Sequence, residues 1–321
     1  MLAAFAARTS PDDPLSALEV GDVPEPAPHD GWTTVHVKAA ALNHHDLWSL
    51  RGVGLPDDRL PMVLGCDAAG VTDDGREVLV HAVIGGPGAP AGQAVAPDEP
   101  RSLLSERYPG TLAERVSVPT TNLVDKPAGV SWEHAAALPT AYLTAYRALF
   151  RSGKAQPGQR VLVQGAGGGF ATAAVQLGTA AGLEVTVTGR DEAKRERARA
   201  LGATAVEPGA RIPRVDLVLE SVGAATWAHT MRSVKPGGTV VVVGATTGDP
   251  SPMDVRRLFF QEITVTGATM GTRDELAQLV AFVAQQRIEP PVDSSYALKD
   301  ARSAFARLAS GDHFGKIVVL P

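Results

Sequence analysis

Gly165, Gly167, Gly168 and Gly169 stand almost side by side. A backbone so poor in side chains can turn tightly and lie flat against a pyrophosphate, whose charge then faces the free N–H groups of a following helix. The flanking residues supply that helix and its supports. Val161-Leu162-Val163 reads as a strand buried on both faces of a parallel sheet, Ala171 to Ala181 as a helix ended by Gly182, and Val185 to Thr188 as a second strand. Strand, glycine turn, helix and strand in this succession form the smallest dinucleotide-binding unit, whereas a glycine cluster alone marks only a tight turn. Ala171 stands where a last glycine is usual and is small enough to keep helix and strand close.

The second strand ends Thr188-Gly189-Arg190. NAD-specific units usually place a carboxylate there to accept from the adenosine ribose hydroxyls. A cation suits NADPH instead, because Arg190 can stack on the adenine and bind a 2′-phosphate in bidentate fashion. Thr188 could add a hydroxyl donor and Lys194 a second positive charge. The competing reading makes Asp191 the ribose acceptor, although it is equally placed to cap the helix beginning at Glu192.

The elements that must hold these residues fit a chain of two domains. At 321 residues, with a net charge of -5, the composition favours neither nucleic acid nor an anionic membrane as partner. One cysteine, Cys66, excludes an internal disulfide framework and a four-cysteine zinc lobe. The first residues lack the apolar core of a signal peptide and no run reaches transmembrane length, so a cytoplasmic protein is expected. Strands are expected at 1–9, 33–40, 62–71, 77–84 and 111–118, a short helix at 42–51 and a loop at 85–100. Further on come apolar helices around Pro139, strands at 217–219 and 240–243, a helix at 273–286 and a closing strand at 317–320.

Seven segments carry a resemblance to a known family: AALNHHDLW (40–48), LPMVLGCDAAG (60–70), GTLAERVSVP (110–119), AAALPTAYLTAYRAL (135–149), the glycine stretch, KPGGTVVVVG (235–244) and HFGKIVVL (313–320). Their order and spacing resemble the medium-chain dehydrogenase/reductase superfamily over essentially the whole chain, and most closely its zinc-independent, quinone-oxidoreductase-like branch. The resemblance implies an α/β protein with a GroES-like, β-rich catalytic domain (1–124 and 265–321) and a Rossmann domain (125–264) built on a doubly wound parallel sheet. It implies that Asn43 lies beside the nicotinamide ribose, and that His44, His45, Tyr142 and Tyr146 are the nearby donors. Thr144, Phe170, Val222, Gly244, Ala245 and Lys316 join the cofactor contacts. In the zinc alcohol dehydrogenases of the family, metal ligands stand at the positions of Asn43, Cys66, Asp67 and about Thr140. Only Cys66 and Asp67 keep ligand chemistry here, short of the three donors a catalytic zinc needs; His44, His45 and His81 could assemble a different site, but histidines more often serve as hydrogen-bonding residues, so no metal is expected. Quinone reductases of the family often carry a tyrosine where this chain has Gly54.

Without a Lewis acid, a simple carbonyl is a poor hydride acceptor, but a quinone or an α,β-unsaturated carbonyl spreads the incoming charge by conjugation. The expectation is therefore an NADPH-dependent oxidoreductase acting on such a substrate. The alternatives are a zinc-type alcohol dehydrogenase or a nucleotide-binding protein with little turnover. The alternating, β-branched segment 262–267 reads as an edge strand able to pair across a two-fold axis, which points to a homodimer.

Overall fold

Six short, valine-rich strands pair in parallel throughout: β1 (Arg160–Val163), β2 (Glu184–Thr188), β3 (Thr204–Val206), β4 (Val215–Glu220), β5 (Val234–Val242) and β6 (Thr264–Gly267). Their order is β3-β2-β1-β4-β5-β6. The chain winds outward from β1 to β3, returns to β4 and winds outward again, leaving a crevice at the carboxyl ends of β1 and β4. Val161, Leu162 and Val163 are fully buried, as a strand covered on both faces must be. Four crossovers carry helices: α1 (Gly169–Ala180), α2 (Glu192–Ala200), α3 (Trp227–Ser233) and α4 (Val255–Phe260). The fifth, from β3 to β4, is the segment 207–214, which turns at Pro208-Gly209 and has no helix.

This sheet belongs to one of two units of the computed structural model, which describes residues 1–27, 29–85, 101–249 and 253–321. One unit comprises 142–271; the other comprises 1–141 and 272–321. The crossings fall later in the chain than 124/125 and 264/265, in part because the helix Trp132–Ala136 packs on the strands Trp32–Ala41 and Asp67–Thr72. Pro28 and all of the expected 85–100 loop beyond Gly85 lie outside the described residues.

The other unit is built on a seven-stranded sheet. Its path runs Leu123–Asp125, Glu77–Val80, Asp67–Thr72, Trp32–Ala41, Lys316–Leu320 and Val292–Ala297, with Arg115–Pro119 also pairing to Trp32–Ala41. Segments from before and after the parallel sheet thus meet in one sheet, while Leu2–Ala6 pairs with Leu18–Asp22 and Met62–Val63 in a separate three-stranded sheet. The single strand expected over 62–71 is broken into Met62–Val63 and Asp67–Thr72. Between them the backbone of Gly65 turns aside to bond Thr111 and the Asp46 carboxylate. The strand expected over 77–84 likewise divides, where Asn122 bonds the carbonyls of His81 and Val83. Around Pro139, which has no N–H to give, loosely wound turns Leu138–Tyr142 and Arg147–Ser152 flank the α-helical turn Leu143–Tyr146. Among the described residues no helix is long and apolar enough to cross a membrane.

Candidate active site

Strand register gathers the first cluster. Ala41 lies opposite both Asp67 and Val318, so the ends of three adjacent strands deliver Asn43, Asp67 and Lys316 to one place. Lys316 Nζ donates to Leu42 O (2.8 Å), Asn43 Oδ1 (2.6 Å) and Asp67 Oδ2 (3.0 Å). Asn43 Nδ2 donates to the same Asp67 oxygen at 2.9 Å. Asp67 is fully buried, and its second oxygen, Oδ1, has no hydrogen-bond partner among the described residues. The cation of this cluster is an ammonium group belonging to the protein.

Asn43 also begins the helix His44–Leu50, but its side chain is committed to Asp67 and Lys316. Asp46 closes the helix start instead, its carboxylate accepting from Asn43 N (2.8 Å) and Gly65 N (3.1 Å). Burial raises the Asp46 pKa to about 6, against the opposing pull of His45 and the Asn43 N–H. A carboxyl that keeps its proton longer when folded stabilises the fold fully below its ordinary value of 3.8, and loses that contribution as pH rises through about 6. Unfolding free energies compared between wild type and Asp46→Asn should therefore diverge by about 2–3 kcal/mol between pH 4 and 6.5. Parallel curves would refute the assignment.

His45, on the next helical position, spans two partners: Nε2 lies 3.1 Å from Glu106 Oε1 and Nδ1 lies 3.5 Å from Cys66 Sγ. Burial works against charge on this ring, but the Cys66 sulfur and the Glu106 and Asp46 carboxylates outweigh it and raise its pKa to about 11. Burial pushes the Cys66 thiol up as well, with His45 opposing. His45 thus bridges Glu106 and Cys66, whose Sγ reaches Leu104 O at 3.2 Å. Gly54 makes room for this: a β-carbon there would lie 2.8 Å from Glu106 Oε1. His45, Asp46 and Cys66 offer ligand atoms within 4.8 Å of one another.

In the nucleotide-binding unit, Gly165 takes φ +96°, a left-handed turn that a side chain would strain. The backbone then enters α1, whose N-cap Gly168 has no capping side chain, so its leading N–H groups face outward for an anion. Beneath the turn runs a buried network. Gly165 N donates to Thr188 Oγ1 (3.2 Å), Thr188 to Gln164 Oε1 (2.8 Å), and Gln164 Nε2 to Thr230 Oγ1 (2.9 Å) and His229 Nδ1 (3.0 Å). Thr230 donates in turn to Glu220 at 2.6 Å. Glu220 also accepts from Val222 N (2.8 Å), Gly223 N (3.0 Å) and Thr226 Oγ1 (2.9 Å). The Thr188 hydroxyl is therefore spent on the turn, not free for a 2′-phosphate as the sequence suggested. Arg190 is exposed, and Asp191 caps α2 through Lys194 N at 2.9 Å. Arg195, which sequence reasoning missed, is buried under this end of β2 and donates to Gly189 O (2.6 Å) and Arg190 O (3.2 Å). A β-carbon on Gly165 would sit 3.8 Å from Val222 and one on Gly244 3.4 Å from Ser221 O, so the ends of β1, β4 and β5 converge. Ala245 joins them beside Gly223.

Residues 29–128 match the alcohol dehydrogenase GroES-like domain and residues 200–319 the zinc-binding dehydrogenase domain. The solved structure of an NAD-dependent alcohol dehydrogenase superposes with a TM-score of 0.91 at 31% identity, covering 100% of both chains. The synaptic vesicle membrane protein VAT-1 homolog of Mus musculus is 30% identical over 92% of this chain and 78% of its own. An acryloyl-coenzyme A reductase of Sulfurisphaera tokodaii is 26% identical over 96% and 98%. The chain belongs to the medium-chain dehydrogenase/reductase superfamily. It is an NAD(P)-dependent oxidoreductase with that superfamily's GroES-like domain and Rossmann sheet.

Two donors expected from the resemblance change role in this dehydrogenase/reductase. Tyr142 is fully buried and its hydroxyl donates to Gln176 Oε1; burial alone holds its pKa well above the usual value. It packs α1 against the irregular helix and presents nothing to a substrate. His45 has both ring nitrogens engaged and serves to position its helix. His44 is different: it is exposed and edge-on to Trp48 at 5.8 Å, and desolvation, then Arg51, lowers its pKa. Thr144 and Phe170 are half-buried, on the irregular helix and at the start of α1.

Proposed function

We propose that this protein is an NADPH-dependent reductase of quinones or α,β-unsaturated carbonyl compounds that works without a catalytic metal. The observation carrying this reading is the Lys316 ammonium, bonded to Asn43 and Asp67. Two of the positions that hold zinc ligands in the resembling alcohol dehydrogenases are thereby committed to an internal cation. The relative named for acryloyl-coenzyme A acts, by that name, on an α,β-unsaturated acyl group. Bound NADPH supplies the hydride. The α1 N–H groups would hold its phosphates, and the His44 imidazole would donate a hydrogen bond to the oxygen on which negative charge develops. His44→Phe should lower kcat about 10²-fold with a smaller change in KM; an unchanged kcat would remove His44 from the site. The decisive experiment follows NADPH oxidation with quinones, enones and aldehydes, and turnover of aldehydes alone would overturn the substrate class.

One observation favours a second reading, a zinc-type alcohol dehydrogenase: the convergence of His45, Asp46 and Cys66. The fit is poor, since zinc needs a neutral imidazole and a thiolate. Both Asp46 oxygens are already bonded to backbone N–H groups, His45 Nε2 is engaged by Glu106, and burial opposes a thiolate at Cys66. Metal near one equivalent per chain, lost with activity in chelator, would decide for zinc.

The preference for NADPH rests on Arg190, exposed and without a side-chain partner among the described residues, beside an Asp191 occupied in capping. Arg190→Ala should weaken NADPH binding by about 1.5–3 kcal/mol and leave NADH nearly unchanged. Equal loss for both cofactors would show that Arg190 does not read the 2′-phosphate. A homodimer is proposed through β6, the outermost strand of its sheet, together with the neighbouring α4 face, where Phe259 and Phe260 are 60% and 78% exposed. Light scattering should report a dimer at micromolar concentration and a monomer for Phe259→Asp/Phe260→Asp; a monomeric wild type would defeat the proposal.

A further inference from the structure

The β3–β4 crossover is the one connection in the parallel sheet that has no helix. Parallel strands are usually joined through a dozen residues or more, most often helical, and that helix covers one face of the sheet. Here the segment 207–214 makes the passage with a turn at Pro208-Gly209 and no helix. Beside it, against α3 and α4, lies a cavity of about 870 Å³, within the range of small-molecule sites.

Its lining is strongly basic in a chain of net charge -5. Arg211 and Arg214 come from the crossover, Arg232 from α3 and Arg257 from α4, and no carboxylate lines the cavity. Arg211, Arg214 and Arg232 are exposed, and their side chains have no hydrogen-bond or ion-pair partner among the described residues. Arg257 Nε is buried and has no hydrogen-bond partner there either. Ser233 and His229 complete the polar wall. Like charges gathered this way repel one another, and planar guanidinium groups match phosphate oxygens in pairs. Their combined charge of four is matched more nearly by a pyrophosphate than by a single phosphate. None of the glycine-turn residues, nor Gly189 or Arg190, lines this cavity.

We propose that this cavity is a second anion site, separate from the nucleotide turn, for a small molecule carrying a pyrophosphate group. Free inorganic pyrophosphate and a nucleoside diphosphate share that chemistry, and two arms of one experiment separate them. The full-length protein is saturated with NADP⁺, which fills the nucleotide turn, and is then titrated calorimetrically in low salt with inorganic pyrophosphate and, separately, with ADP. At least one should bind in the presence of NADP⁺; ADP binding tenfold or more tighter would assign the site to a nucleotide, and equal binding to the pyrophosphate group itself. Arg214→Ala/Arg232→Ala should weaken that binding tenfold or more while the affinity for NADP⁺ changes less than twofold. Arg232→Lys, which keeps the charge and loses the fork, should give an intermediate loss. No binding of either probe once NADP⁺ is present, or the same binding in the double variant, would overturn the site. Because NADP⁺ affinity is read in the same samples, failure of this site is distinguishable from failure of the nucleotide-binding assignment.

Discussion

Lys316→Met is expected to lower the unfolding free energy by about 3–5 kcal/mol, the cost of leaving a buried carboxylate without its cation. Lys316 is 3% exposed and Asp67 0%, so water cannot replace the lost partner without the site opening. The amide of Asn43 would remain on Asp67 Oδ2, but a neutral donor compensates little of a charge already short of a bond at Oδ1. Removing both charges in Lys316→Met/Asp67→Leu should recover most of the loss, because an apolar pair of similar volume has no charge to desolvate. Denaturant midpoints read the difference. A single variant within about 1 kcal/mol of wild type would show that the pair does not behave as a buried ion pair.

The second large effect is expected at Glu220, far in sequence from the glycine turn yet joined to it by hydrogen bonds. Glu220→Ala strands two backbone N–H groups, those of Val222 and Gly223, and deprives Thr226 and Thr230 of their acceptor. Each buried group left unpaired costs about 1–3 kcal/mol, so a loss of roughly 3–5 kcal/mol is expected after partial relaxation. Because Thr230 holds Gln164 and Gln164 holds Thr188, NADPH binding should weaken as well. Glu220→Gln keeps one acceptor oxygen and should cost less on both counts. Equal stability and affinity in all three proteins would mean that the network carries no load.

Local order made the nucleotide unit legible in the sequence. The glycine turn, its strand and helix, the cap at Asp191 and the edge position of β6 each depend on residues within a few positions of one another. The polar cluster is a different matter. Asn43 and Lys316 were recognisable only as isolated positions of a family pattern, because what joins them is strand register between segments at opposite ends of the chain. Tyr142 misled for a related reason: an apolar helix does not disclose which neighbour will satisfy a hydroxyl, and Gln176 does so here. Thr188 has the right chemistry for a phosphate, but its hydroxyl faces inward to Gln164. Arg195 could have been suspected as a basic residue one turn into α2, facing back toward the strand end it supports. The helixless crossover was visible as a short, proline-containing stretch between two strands, although the cavity beside it depends on arginines from three elements.

The single cysteine gives this protein a built-in clock for its own breathing. Cys66 is 1% exposed, its thiol hydrogen-bonded to Leu104 O and kept protonated by burial, so a thiol reagent cannot modify it in the closed state. No other sulfhydryl exists to contribute background. Modification must wait for the segment that holds Asp46, Cys66 and Asp67 to open, and its rate therefore measures the free energy of that local opening. Added cofactor, substrate or a substitution at Lys316 would each register as a change in labelling rate, without an engineered probe.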